Sequence, residues 1–569
     1  MSKLRNLLLV VLLTNIISAQ KITVDKIEPP FWWEGIKLDT LQLMIYGENL
    51  QGAEVRSESE LFSPVKTYNS SVQNYLFAYI PAGNLVRGKY KLIISKNGIE
   101  EEIEYEIKER EFSPESHKGF GREDVIYLIF TDRFADGDTL NDKLPNNFEE
   151  FPFGDLNGRH GGDIQGIIDH LDYINNLGVT AIWHTPVLEN NMYMSYHGYA
   201  TTDLYKIDPR FGSNNLYKKF VTEAHKRGLK VILDHVNNHV GINHIWGSNP
   251  PFEDWFHGTP ARHPEANHNK IAFFDIHGDP KTPGRSQEGW FTDYMPDLNK
   301  DNPFLAKYMI QNTIWWIEFS GVDGIREDTY PYNELDYMSR WAEIIFDNYP
   351  NFNIVGEVWK GVPAFLAQYQ KNPKIDSGFD SNLKTITDFA FSDAVRGFLS
   401  GGNLWNVYET LAKDFLYRYP GMMMTFFDNH DVDRAMFVAK NDLAKFKIAL
   451  TLLLTSRGIP QITYGTEIGF NGGGHDGKIR APFPGGFPGD DRNAFKPDGR
   501  SDEENEIFNL MFKLLKLRKE YPALSKGILI HFPPKEGIYI YFRISKTQKI
   551  MTAINASDTD KNILLNDYS

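Results

Sequence analysis

Four short segments of the 569-residue chain each carry an apolar run into residues able to do chemistry. LKVILDHVNNH delivers Asp234 and His239, VDGIRED delivers Arg326 and Asp328, IVGEVW delivers Glu357, and FFDNHD delivers His430 and Asp431. Carboxylates accept hydrogen bonds or hold a proton, an arginine beside them is a fixed positive charge, and a neutral histidine both donates and accepts. Taken singly, an acidic residue after a strand is more often a turn former or helix cap than a reacting group. Their recurrence, in order, after apolar runs of one kind sets them apart. A second constellation, FADGDTLND, crowds Asp136, Asp138, Asn141 and Asp142 into one loop. Oxygen ligands this close suit calcium, and on these residues alone a solvated acidic turn is the alternative. Two further patterns are set aside. NGGGHDG, residues 471–477, lacks the Gly-Lys-Ser/Thr ending of a phosphate cradle and reads as a mobile loop. His239 and His244 lack the HExxH spacing of zinc proteases.

The elements that must position these residues follow from the texture of the chain. From Val125 onward, short apolar runs alternate with helical segments, the rhythm of a parallel β/α protein. VIYLIF, VTAIW, LKVILD, VDGIRED, NIVGEVW, TITDF, MMMTFFD and IPQITY supply the eight strands of a closed (β/α)8 barrel. The site of such a barrel forms at the C-terminal ends of its strands, where the four segments place their polar residues. A stretch rich in Trp, Pro, His and Asp, residues 237–302, interrupts the rhythm after the third strand. An insertion so long inside a compact domain is usually functional. NEIFNLMFKLLKLRKEY has apolar residues at helical spacing and closes the barrel domain, residues 120–525. Before it, residues 21–110 read as an antiparallel β sandwich with a hairpin turn at Asn97-Gly98, and a charged, Pro- and Gly-containing linker follows. Residues 526–569 return to strand character but fall short of a full sandwich, an abbreviated or cut C-terminal β domain.

Composition narrows the function classes. A net charge of -15 without clustered Lys and Arg argues against nucleic acid as a partner. Cysteine is absent, which excludes disulfides, thiolate metal sites and a cysteine nucleophile. Aromatic residues reach 14%, with 11 Trp and 28 Tyr, rings that fill cores and also suit the apolar faces of sugars. Lys3 and Arg5, the run LLLVVLLTNII and then Ser18-Ala19-Gln20 form the three parts of a secretory signal, residues 1–20, with cleavage expected after Ala19. The run is shorter than the ~20 residues that span a bilayer, so export without membrane attachment after cleavage is expected. The periplasm is the expected location, with secretion as the alternative.

Together the four segments resemble the conserved regions of the alpha-amylase superfamily, as do MPDLN in the insertion and GIPQITYGTEIG at the eighth strand. IEPPFWWEG and LQLMIYGENL resemble the N-terminal domain of cyclomaltodextrinases and neopullulanases. The resemblance implies a retaining glycoside hydrolase cleaving alpha-1,4-glucosidic bonds in maltooligosaccharides, cyclodextrins, pullulan or starch. A general alpha-amylase or a transglycosylase is the alternative within enzymes, and a silent glycan-binding protein the alternative outside them. It implies Asp328 as nucleophile, Glu357 as acid/base and Asp431 as the third carboxylate, binding sugar hydroxyls. Arg326 should keep Asp328 ionised, His239 and His430 should hydrogen-bond the sugar at the cleavage point, and Tyr199 in YHGYATTD should stack beneath it. Trp359 reads either as an acceptor-side platform or as a packing residue at the rim. The calcium loop of the same group adds Gly161 and Asp163 of HGGD to the ligand set. The N-terminal domain implies a homodimer in which it covers the partner's site, with Trp32 and Trp33 as an aromatic anchor or as packing within their own sandwich. One departure stands out: TYPY follows Asp328 where many of these enzymes have a small residue and then Asn-Glu, positions that influence acceptor use and linkage choice.

Overall fold

The computed structural model describes residues 21–145, 147–564 and 568, so the expected export signal lies outside the described residues. The chain divides into two compact units, one ending at Lys108 and the other carrying Glu109–Ser569 together with Gly35–Lys37.

The first unit holds two four-stranded sheets. Thr23–Glu28, Thr40–Glu48, Tyr75–Pro81 and Lys66–Asn69 form one, and Trp32–Trp33, Ile99–Lys108, Gly88–Lys96 and Glu54–Ser57 form the other. The longest hairpin turns at Asn97 and Gly98, whose φ values of 52° and 80° are the left-handed geometry that two-residue hairpins need. On this hairpin exposed Lys89 pairs with Glu104 at 2.7 Å and Lys91 with Glu102 at 3.0 Å, diagonal cross-strand pairs. Trp32 and Trp33 are both buried, which favours their reading as packing residues over that as an anchor.

In the second unit the eight expected strands form one parallel barrel: β1 Ile126–Ile129, β2 Ala181–His184, β3 Lys230–His235, β4 Gly324–Glu327, β5 Asn353–Gly356, β6 Thr385–Ile386, β7 Met424–Thr425 and β8 Ile459–Thr463. Neighbours pair in chain order, β8 returns to β1, and a parallel bridge from Thr387 to Met424 closes the ring between β6 and β7. Buried on both faces, these strands must be continuously apolar rather than alternating. Ile126, Leu128, Trp183, Ile232, Val355 and Ile459 pack together as their shared core. The helix Asn214–Lys226 shows why the intervening segments are helical: Ser213 caps it, and Tyr217, Phe220, Val221 and Ala224 put one stripe against the barrel. Asp502–Glu520 begins with a capping box between Ser501 and Glu504.

The insertion has little regular structure, and isolated bridges from His239 to Asp297 and from Phe256 to Leu298 tie it together. After the barrel, Ile528–His531, Ile538–Ile544 and Lys549–Asn555 form a three-stranded antiparallel sheet. Among the described residues no helix is long and apolar enough to cross a membrane.

Candidate active site

A cavity of about 350 Å3 opens at the C-terminal ends of the strands, and Tyr199, His239, Asp328, Glu357, Trp359 and Asp431 all line it. The pleat explains how β4 builds its share. Side chains alternate faces along a strand, so Arg326 and Asp328 point one way and Glu327 the other. Glu327 pairs instead with His235 Nδ1 at 2.8 Å and accepts from the Asn237 N–H at 2.9 Å. Asp328 is the next residue on the site face, and Glu357 emerges directly after β5.

Arg326, about 1% exposed, organises the centre. Its Nη1 donates to Asp234 at 2.9 Å and to Asp328 at 2.5 Å, and its Nη2 lies 2.8 Å from Glu357 Oε1. One guanidinium thus serves three carboxylates. Arg326 favours the ionised form of Asp328, as expected, but burial and repulsion from Glu357 and Asp234 outweigh it and push the Asp328 carboxyl well above the ordinary range. Asp234 is pushed up to about 6 by burial, against the pull of Arg326. Arg326 thus opposes, without cancelling, the cost of burying the Asp328 charge among like charges.

The residue after Asp328 is strained into place. Thr329 has φ 42°, a left-handed conformation costly for a β-branched residue, and its N–H donates to Glu357 Oε2 at 3.0 Å. Both Glu357 oxygens are thereby fixed beside Asp328.

Around this centre, the Tyr199 hydroxyl donates to Asp234 at 2.9 Å and meets His430 Nε2 at 2.7 Å, with the two rings nearly parallel and 5.6 Å apart. A hydroxyl has one proton, so His430 Nε2–H is the donor in the second contact. Burial, with Arg326 and Arg480 nearby, holds His430 neutral by pushing its pKa well down. His239, also on the cavity wall, is engaged within the protein. Its Nε2 is 3.1 Å from the Tyr199 carbonyl and its Nδ1 is 3.3 Å from Asn238 Nδ2, so both nitrogens already have partners. Burial lowers it to about 4, and the neutral ring supports the Tyr199 backbone from the cavity wall. Trp359 stacks on Phe389 at 5.1 Å and 14°, and its 44% exposed ring also lines the cavity.

Asp431 is held by Arg480 at 3.0 Å, and His430 Nε2 lies 3.2 Å from its other carboxylate oxygen. Arg480 also donates to the His430 carbonyl and to the Tyr196 hydroxyl. The sequence reading missed Arg480, and it set aside Asp476, another cavity-lining residue, as part of a mobile glycine loop. That loop is tied down: Gly474 N–H donates to Asp433 at 2.7 Å, and His475 caps the turn that Asp476 begins. Its glycines also serve close packing, since a Cβ on Gly472 would stand 2.0 Å from the Lys478 carbonyl. Lys270 and Phe291 were missed as well, and they also line the cavity, as does Tyr332 of the TYPY run noted after Asp328. No motif marks Lys270 and Phe291; only the insertion's His and aromatic content hinted at a role.

The acidic loop forms a second cluster. Asp163 caps the helix Ile164–Asp169 through Gly166 N–H at 2.7 Å and accepts from Asn141 at 2.8 Å. Asp136 is pushed up to about 6 and Asp142 to about 7, by burial and then by repulsion among Asp136, Asp142 and Asp163. Asn141 Oδ1 and Asp142 Oδ1 are buried without a hydrogen-bond partner. Gly161, at φ 93°, leaves room that a side chain would fill, since a Cβ there would stand 2.3 Å from Asp142 Oδ1. Asp138 is engaged locally, its Oδ1 accepting from Leu140 N–H at 3.1 Å. Among the described residues no group of three or more His, Cys, Asp or Glu converges as a complete ligand set. The donors here are mixed, with an amide and a carbonyl completing the carboxylates. Orphaned oxygens and mutually repelling carboxylates fit a hard cation.

A parallel barrel with carboxylates clustered around one arginine at its strand ends, facing an aromatic-rimmed cavity, has the form of a carboxylate-dependent hydrolase site. The comparisons define the family. Residues 128–479 match the catalytic domain of alpha amylase, 26–111 the N-terminal domain of cyclomaltodextrinase and 529–569 the cyclo-malto-dextrinase C-terminal domain. The chain belongs to the alpha-amylase family of glycoside hydrolases. It is 30% identical over 470 residues to a cyclomaltodextrinase of Thermoanaerobacter pseudethanolicus, covering 78% of this chain and 72% of that one. It is 29% identical over 469 residues to neopullulanase 2 of Thermoactinomyces vulgaris, covering 78% and 71%. Among solved structures, an Anoxybacillus alpha-amylase is similar with a TM-score of 0.64 and 32% identity, covering 77% of this chain and 87% of that one.

Proposed function

We propose that this hydrolase cleaves alpha-1,4-glucosidic bonds of maltooligosaccharides, cyclodextrins, pullulan or starch with retention, through Asp328 as nucleophile and Glu357 as acid/base. The observation that carries the reading is that Arg326 holds both carboxylates by adjacent nitrogens, Asp328 at 2.5 Å and Glu357 at 2.8 Å. Sharing one guanidinium favours the close spacing of retaining enzymes, about 5 to 5.5 Å between carboxyls, over the wider spacing that leaves room for a water. Asp328 attacks the anomeric carbon while Glu357 gives its proton to the departing glycosidic oxygen, forming a glycosyl ester. Glu357 then takes a proton from water, which attacks the same carbon and releases Asp328. Asp431 and Arg480 accept and donate hydrogen bonds to the sugar at the cleavage point, and Tyr199 stacks against it. NMR of fresh products tests this: the alpha anomer should come first, and initial release of the beta anomer overturns it.

Calcium is the proposed ion of the acidic loop, held by Asp136, Asp138, Asn141, Asp142, the Gly161 carbonyl and Asp163. It would supply charge compensation and rigidity away from the carboxylate centre, with no part in the reaction. Export, with the periplasm as destination, is proposed from the charged and apolar N-terminus, and a homodimer through the N-terminal domain from its resemblance.

A further inference from the structure

Lys270 is a cation in the active-site cavity that the proposed chemistry does not use. It comes from the insertion, lines the cavity with Asp328, Glu357, Tyr332 and Trp359, and makes no ion pair among the described residues. Its ammonium lies 4.9 Å from the centre of the Tyr332 ring. Tyr332 is itself fixed, buried and bonded through its hydroxyl to His268 Nδ1 at 2.6 Å, so the insertion and the loop after Asp328 grip each other at this point. A cation over a ring face is held in direction while its N–H donors stay available. Burial pushes Lys270 down to about 8, with the Glu357 charge opposing that fall and Lys360 adding to it. An ammonium taken partly out of water without an acceptor gains from any oxygen brought to it.

We infer that Lys270, seated on Tyr332, binds the hydroxyls of the glucose unit on the leaving and acceptor side of the cleaved bond and so sets acceptor preference. The inference rests on the proposed role of Glu357, because the acid/base stands beside the departing sugar and Lys270 lines the same cavity within reach of the Glu357 charge. It also gives physical content to TYPY: the last Tyr of that run provides the ring on which the lysine sits. A charged hydrogen bond to a hydroxyl is worth about 1.5 to 3 kcal/mol, or about ten- to a hundredfold in kcat/KM.

The test compares maltotriose with 4-nitrophenyl maltoside, monitored by nitrophenol release, in the parent enzyme and in Lys270→Met and Lys270→Arg. Maltotriose cleavage needs a departing sugar with hydroxyls, and the nitrophenyl ring offers none. The ratio of kcat/KM on maltotriose to that on the nitrophenyl substrate should fall by about tenfold or more in Lys270→Met and recover in part in Lys270→Arg. Transfer to added glucose should fall with it. An unchanged ratio in a Lys270→Met protein that melts like the parent overturns the inference. Release of the beta anomer by the parent would overturn the retaining mechanism instead, so the two failures are distinguishable.

Discussion

Replacing Arg326 with Met would remove the shared cation and keep most of the volume. Three carboxylates then face one another in a buried site, Asp234 at 2.9 Å and Asp328 at 2.5 Å from a charge no longer there and Glu357 at 2.8 Å from the second lost nitrogen. Removing one partner of a buried ionic group costs about 3 to 5 kcal/mol, a large part of the 5 to 15 kcal/mol typical of a folded protein. The cost depends on pH with a definite sign. Asp234 already rises to about 6, and Asp328 rises too. A carboxyl whose folded pKa exceeds its unfolded value of about 3.9 contributes stability below that value and loses it as pH rises through the folded pKa. Without Arg326 both carboxyls rise further, each unit adding about 1.4 kcal/mol to the loss at alkaline pH. The variant should therefore melt far below the parent at about pH 8 and nearer to it at about pH 5, where a proton takes the place of the guanidinium. Differential scanning fluorimetry of both proteins at both pH values reads this difference. The acid limb of the variant's residual activity should also move to higher pH, because the nucleophile ionises later. Equal melting deficits at the two pH values, with no movement of the acid limb, would show that Arg326 acts by packing and refute the shared-cation account.

Other outcomes follow from the same geometry. Tyr199→Phe keeps the ring but removes the hydroxyl between Asp234 and His430, and should lower kcat while costing about 1 to 3 kcal/mol of stability, read by activity and denaturant melts. Chelation should lower the melting temperature without changing the product anomer, because none of the proposed ligands lines the active-site cavity; an unchanged melt on chelator treatment, with calcium absent by mass spectrometry, leaves the loop as an acidic turn. Removing the N-terminal unit through Lys108 should convert a dimer to a monomer by light scattering and lower the cyclodextrin-to-starch turnover ratio, and a monomeric parent excludes the dimeric lid.

The barrel was legible because its signal is collective. Eight apolar runs at parallel β/α spacing return as eight strands, and the four polar segments fall where those strands end. The sites that escaped the sequence lack that redundancy. Lys270 and Phe291 lie in an insertion with little regular structure, where no period tells which side chains turn inward. Arg480 and Asp476 follow a run of glycines that looks like slack, although one of those glycines makes room for a neighbouring carbonyl and the run is bonded to Arg434 and Asp433 through Gly472 and Gly474. Composition reports conformational freedom there, while contacts 41 residues away remove it, as from Gly474 to Asp433. The same distance effect explains His239: its place after β3 was readable, but the engagement of both its nitrogens depends on Tyr199 and Asn238.

The triplet Arg326-Glu327-Asp328 shows why local sequence identifies candidates more easily than roles. Two carboxylates flank or follow the arginine by one and two positions, and composition cannot choose between them. The pleat can: the even step keeps Asp328 with Arg326, and the odd step sends Glu327 to His235 on the other face of the same sheet. There the Glu327–His235 pair is buried, and Glu327 also accepts from the backbone of Asn237, the first residue of the insertion. His235 Nε2 continues the chain of bonds to Thr313, on the helix Pro303–Ser320. Glu327 thus secures the start of the insertion from behind β4, while Asp328 faces the cavity that the insertion's Lys270 and Phe291 help to line. Adjacent residues of one strand therefore anchor the cavity wall and its reacting carboxylate to a common backbone, and a one-residue register slip of β4 would exchange both at once.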